Sequence, residues 1–343
     1  MTVTVERVPE AGTARRLVAG GFVSGGVLAV LAATAFTAQE AVPGIVIPGP
    51  LVEYGLPVLR VLLDLATVAV VGLSLLPKML GFDDPERTEP VMRRARPMAV
   101  TFAWAWALLA LLIIVFQTAE LNPGLIPTPS MIAAYVDGVG AGQGMLFTAA
   151  CALSYAGIGL LAVRYGEKVP AELRIVIAFF GLLPIPVTGH AVDSVWHDPI
   201  MISMELHVMG AAAWTGGLLT IILLVAADRE LLARVLPKFS RLATLALVLV
   251  SVSGLVTGLA TMALTPGVEL PGALLRGEYG PLVVAKVASV ALLIPFAAHI
   301  RFRLLPHIAE RRATAVVAWA AAEITVMGLA YGVAVALTTA SLS

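Results

Sequence analysis

Cysteine is almost missing from this chain of 343 residues: Cys151 stands alone, which excludes an intramolecular disulfide and a Cys-x-x-Cys metal trap. Charge is also scarce. Only 13% of residues are Asp, Glu, Lys or Arg, and the longest polar interruption, Gly81 to Pro97, is too short for a soluble domain. The Gly-x-x-x-x-Gly-Lys-Ser/Thr phosphate loop is absent, so neither ATP-driven pumping by this chain alone nor a nucleotide partner is expected, and no nucleic-acid partner either. The sequence shows no internal repeat and no low-complexity tract.

What fills the chain instead is hydrocarbon. Hydrophobic residues make up 59% of it, the mean hydropathy is +0.95, and apolar runs of about 18 residues or more recur. These features predict an all-α, polytopic transmembrane helical bundle in contact with membrane lipid. About nine spans are expected, near 16–38, 50–77, 98–119, 145–164, 171–190, 200–226, 240–264, 279–303 and 312–339. Residues 1–170 form a four-helix N-terminal membrane region and 171–343 a second membrane domain. A short helix is expected near 132–139, after the proline-rich stretch from Asn122 to Ser130.

The few charges are distributed asymmetrically. All of the 22 basic residues except Arg60, Arg276 and Lys286 fall before the first span or in alternate loops after it, whereas the intervening loops carry Glu40, Glu120, Asp137, Asp193, Asp198, Glu269 and Glu278. The positive-inside rule then places the N-terminus in the cytoplasm and the C-terminus outside. Ala35 to Ala38 resembles a signal-peptide cleavage site, but the apolar region from Leu17 to Ala38 is longer than a signal core, which favours a retained helix.

Metal-type ligands bunch in one place. Between Thr188 and Gly217 lie three of the five histidines (His190, His197, His207), the methionines Met201, Met204 and Met209, and Asp193 and Asp198. The predicted topology puts His190 and His207 at neighbouring outer depths on consecutive helices. Met204, His207, Ala211 and Trp214 recur at i, i+3, i+7 and i+10, one face of a helix, with Asp193 and His197 above it. Imidazole with thioether suits a soft ion, Cu(I) above all, and imidazole with carboxylate accommodates Cu(II). A buried hydrogen-bonded histidine and gap-filling methionines are the alternative.

Other charges inside the spans need partners, because an ionisable group at the bilayer centre costs about 2.5–3.5 kcal/mol even on the lenient insertion scale. Arg60 and Asp64, at i and i+4, are expected to neutralise each other. Lys286 and Glu323 either form a buried pair, or Glu323 is a proton or cation relay. Gln117 and Glu120 are candidates to face the same cavity. Gly21/Gly25, Gly138/Gly142 and Gly254/Gly258 are small-xxx-small pairs that permit close helix packing.

Leu206-His207 followed by a small-residue stretch and Trp214-Thr215-Gly216-Gly217-Leu218 resembles the signature of the CopD copper resistance family. In order along the chain, Gly189-His190-Ala191, Phe239-Ser240, Gly254/Thr257/Gly258, Tyr279-Gly280 with Lys286, Arg301 to Arg303 and Glu323 also resemble that family, whose closing Pro-Pro is absent at Thr338 to Ser343. The resemblance covers about 180–335, while the first 170 residues match in hydropathy alone. It implies copper handling, without enzymatic activity, at the bacterial inner (plasma) membrane, commonly as uptake toward the cytoplasm. His190, His207 and Met204, with His197 and Asp193, would capture the ion from an extracytoplasmic donor protein. Glu323, Lys286 and Trp214 would serve its passage. Two alternatives stand beside this: a haem- or porphyrin-binding membrane protein, in which helix-borne histidines are axial ligands, and a factor delivering copper to a respiratory oxidase.

Overall fold

The computed structural model describes residues 11–37, 46–184, 197–264, 271–275, 278–310, 315–338 and 340. Among them there are helices and no strands. The principal helices are α1 (Ala11–Phe36), α2 (Pro50–Leu80), α3 (Pro85–Leu121), α4 (Pro129–Gly138), α5 (Gly140–Tyr165), α6 (Ala171–Phe180), α7 (His197–Thr220), α8 (Arg229–Leu264), α9 (Tyr279–His299), α10 (Leu305–Ala309) and α11 (Val316–Leu337). Among the described residues, eight helices are long and apolar enough to cross a membrane.

Local chemistry sets the helix ends. Pro50, Pro85 and Pro129 occupy first-turn positions, where the missing N–H costs nothing. Thr128 Oγ1 accepts from Met131 N at 3.3 Å and caps α4. Gly81 and Gly166, with φ of 79° and 64°, end α2 and α5 in a conformation that side chains resist.

Two sequence expectations change. The predicted fifth span, 171–190, is helical only over Ala171–Phe180, followed by turns at 181–184, with 185–190 outside the described residues. Pro184 and Pro186 explain the stop, since each lacks an N–H donor and disfavours helix in the residue before it. Among the described residues, eight long helices therefore stand where about nine spans were expected. The predicted loop 81–97 is helical from Pro85 onward, because α3 continues as a polar extension held by ion pairs. Arg96, with its side chain only 3% exposed, donates to both Glu89 oxygens at 2.7 and 2.8 Å and to Glu167 at 2.9 Å.

These pairs belong to a larger cluster that gathers the basic loops at one end of the bundle. Lys78 pairs with Glu172, Arg87 with Glu230, and Arg234 with Asp84 at 3.2 Å. Lys238 Nζ donates to Met79 O at 3.1 Å and Arg301 to Ser240 O at 3.2 Å. Arg96→Gln is expected to lower the thermal midpoint in detergent by several degrees, because it breaks a bidentate, shielded pair. Lys78→Ala, whose partners are both well exposed, should leave the midpoint unchanged. Parallel melting curves for the two variants check this contrast.

Packing between helices relies on glycine, as expected where lipid supplies no hydrophobic drive for helix association. α1 lies along α11 with Gly21 and Gly25 against Thr325, and a Cβ at Gly332 would fall 2.4 Å from Gly26 O. α1 is thus an integral part of the bundle. The α2–α7 crossing is tighter: a Cβ at Gly72 would fall 2.0 Å from Gly216 O, and one at Gly216 would fall 2.2 Å from Val68 O. Of the glycine pairs read from sequence, Gly138 and Gly258 face open space, Gly142 faces Tyr135, and Gly254 makes room for the His207 ring.

Candidate functional site

The backbone contact at Gly72 and Gly216 brings Asp64, one of the polar residues of α2, to the face of α7 that carries the histidine. Between α2, α7, α8, α9 and α11 lies a cavity of about 180 Å³, lined mostly by aliphatic side chains and by Asp64, Met204, His207, Thr215, Lys286 and Tyr331. All four members of the predicted α7 face, Met204, His207, Ala211 and Trp214, line it. At 1.5 Å per residue, Asp64, His207 and Lys286 stand roughly 20–27 Å along their helices from the basic end, so they share a similar depth.

His207 is buried and oriented. Its Nδ1 lies 3.0 Å from Val250 O and 3.2 Å from Ser253 Oγ. A carbonyl oxygen only accepts, so Nδ1 carries the hydrogen and donates it. Ser253 Oγ in turn donates to Leu249 O at 2.5 Å, which leaves its lone pairs free to accept from Nδ1. The imidazole is therefore held by α8 in the tautomer whose Nε2 presents a lone pair, the form a metal ion takes up. Gly254 permits this fit, since a Cβ there would come within 2.9 Å of His207 Cε1.

The remaining charges sort differently from the sequence expectation. Asp64 and Arg60 form no ion pair within 4 Å. Asp64 feels the charge of Arg60 first and that of Lys286, with which it shares the cavity, second, while Arg60 also feels Glu120. The i, i+4 spacing keeps Arg60 as a charge partner of Asp64, and neighbouring helices add Glu120 and Lys286. Nor do Lys286 and Glu323 pair. Glu323, 2% exposed, lies in a second, smaller cavity of about 30 Å³ with Trp214, Phe239, Ser240 and Arg301. Gln117 accepts instead from Tyr135 O–H at 2.9 Å, between α3 and α4. The Tyr331 hydroxyl, unmarked in the sequence analysis, is buried beside Thr215 without a partner in hydrogen-bond geometry.

Of the residues expected to hold a metal, His207 and Met204 share the large cavity. His190 and Asp193 lie outside the described residues, and so does the side chain of His197, which begins α7. Among the described residues no three His, Cys, Asp or Glu side chains come close enough together to hold a metal ion. Cys151 is a free thiol on α5 beside Gly181, away from the cavity. At the basic end His299 stacks on Trp319 with ring centroids 4.0 Å apart, and His307 Nδ1 donates to Arg303 O at 2.7 Å.

A bundle of long apolar helices enclosing a histidine, an aspartate and a lysine in one cavity defines a multi-pass membrane protein with an intramembrane polar site. Comparison with known families gives the particular kind. Residues 51–198 match the profile described as copper resistance protein D-like, N-terminal domain, and residues 233–337 match that of copper resistance protein D. The chain belongs to the CopD copper resistance family, and is a copper resistance- or transport-related membrane protein. No curated protein and no solved structure matches it. The first match corrects the expectation that the N-terminal half shares only hydropathy with the family. The segment Leu206 to Leu218, which carries much of the resemblance read from sequence, falls between the two matched ranges.

Proposed function

We propose that this protein, a carrier rather than an enzyme, moves copper ions across the bacterial inner membrane toward the cytoplasm. The observation that carries the reading is His207, held by α8 with Nε2 available, in one cavity with the Met204 thioether a turn away and the Asp64 carboxylate. Imidazole and thioether favour Cu(I), and a carboxylate extends the set toward Cu(II). So few donors make an open site, which suits transit, because an ion that is to leave must be held weakly. His190, Asp193 and His197 would complete capture at the outer face, where an extracytoplasmic protein donates the ion.

The basic end of the bundle is the cytoplasmic end in this reading, by the positive-inside rule. Inward movement then gains about 2.3 kcal/mol per charge for each 100 mV of membrane potential, so entry requires no nucleotide. Proteoliposomes containing the purified protein are expected to accumulate copper when an inside-negative potential is imposed and ascorbate keeps the ion reduced. Uptake no faster than in protein-free vesicles overturns transport. Copper binding without uptake would assign the chain to delivery toward an oxidase, and a Soret band in the purified protein to haem binding.

A further inference from the structure

Trp214 lines both cavities. It follows His207 by seven residues on the same face of α7, about 10 Å nearer the basic end. On the other wall, α11 runs the opposite way: Tyr331 and Met327 line the large cavity, and Glu323, a turn beyond Met327, lines the small one. The indole is thus a partition between an outer chamber built on His207 and an inner chamber built on Glu323. We infer that Glu323, in the inner chamber behind Trp214, is a second cation-binding station. Resting on the transport reading above, this makes it the place where copper lodges after passing the indole and before leaving toward the basic end.

Charge accounting supports the assignment. A carboxylate taken from water without a counter-charge is costly, so buried carboxylates are paired, protonated or bound to a cation. Glu323 is 2% exposed, and no Lys, Arg or His side chain among the described residues forms an ion pair with it. The Trp214 indole, which lines the same chamber, is neutral. Arg301 lines the same chamber, but its Nη1 is held on α8 by Ser240 O and Oγ, both at 3.2 Å, and by Thr244 Oγ1. An ionised Glu323 would thus have no direct counter-charge in a space of about 30 Å³, enough for a single small guest, since a water molecule needs about 10–15 Å³ by the same kind of measure. An indole beside that carboxylate adds a π-face, which attracts cations.

Backbone irregularity falls at the same level. The two π-helical turns, Ile221–Val225 after α7 and Ile300–Leu304 after α9, interrupt the helices toward the basic end, and the second contains Arg301. Such turns concentrate at functional sites. Arg301, within the second, is hydrogen-bonded to Ser240 and Thr244 of α8.

The test compares Glu323→Gln, Glu323→Asp and His207→Ala, using Cu(I) and Cu(II) salts in turn as probes. Binding is read by competition with a chromogenic chelator, and uptake in energised proteoliposomes. Glu323→Gln, close to isosteric, should keep the His207-dependent site, lose a second weaker equivalent of copper, and slow uptake about tenfold. Glu323→Asp, which retains the charge, should recover the second equivalent. Unchanged stoichiometry and uptake in Glu323→Gln overturn the station while leaving transport through His207 intact. So does unchanged stoichiometry with uptake that loses its response to a pH gradient, which would make Glu323 a proton carrier. Wild-type uptake in His207→Ala overturns the transport route itself, a failure distinguishable from both. A monodisperse elution profile identical to wild type establishes that each variant is folded.

Discussion

His207→Ala is expected to weaken copper binding by the purified protein more than about 100-fold, because removing a hydrogen-bond partner of a ligating histidine already costs about 10–100-fold and this change removes the donor itself. The imidazole is positioned by Val250 O and Ser253 Oγ on a neighbouring helix, so its Nε2 is presented without the entropy cost of ordering a free side chain. Ser253→Ala leaves Val250 O in place and should weaken binding by about tenfold, at the lower edge of that range. Titration of each variant with Cu(I) under a competing chelator measures both. Wild-type affinity in His207→Ala would move capture to the outer residues His190, Asp193 and His197. A stronger effect from Ser253→Ala than from His207→Ala would mean that α8, not the imidazole, makes the site.

The second large effect is on assembly. Gly216→Val is expected to destabilise the bundle beyond the usual overpacking cost of about 1–3 kcal/mol, because the new Cβ meets backbone, which cannot rotate away: Val68 O would lie 2.2 Å from it. α2 and α7 must separate, and that separation also withdraws Asp64 from the cavity. Loss of the monodisperse species on mild heating in detergent, together with loss of copper binding, is the expected result. Gly258→Ala is the control, since a Cβ there meets open space and alanine is the better helix former. A midpoint for Gly216→Val equal to that of Gly258→Ala would show that the α2–α7 contact does not hold the bundle together.

Much of the fold was legible because membrane helices announce themselves by length and hydropathy, and the ends at Pro50, Pro129 and Gly166 by local chemistry. α3 was misjudged at its start because Arg93, Arg94 and Arg96 resemble a solvated loop until Glu89 and Glu167 are seen to pair with Arg96. The fifth span was read as continuous because hydropathy is blind to the effect of Pro184 and Pro186 on backbone geometry. Within the site, the face of α7 from Met204 to Trp214 followed from helical spacing. Asp64 was assigned to its neighbour Arg60, whose charge it feels, but a single helix could not show that Lys286 shares its cavity. A lone acid in the middle of an apolar span was the available signal that it belonged to a shared cavity.

The amino-acid sequence by itself determined the class of molecule, the helices and the grouping of basic loops, because each depends on hydrophobicity, period or charge within a short stretch of chain. Tertiary structure alone decided which charges meet, which histidine nitrogen is left available, and that Trp214 divides two chambers. Those outcomes depend on how closely helices approach at Gly72, Gly216 and Gly254, and distances between segments remote in sequence are set by packing rather than by any local pattern.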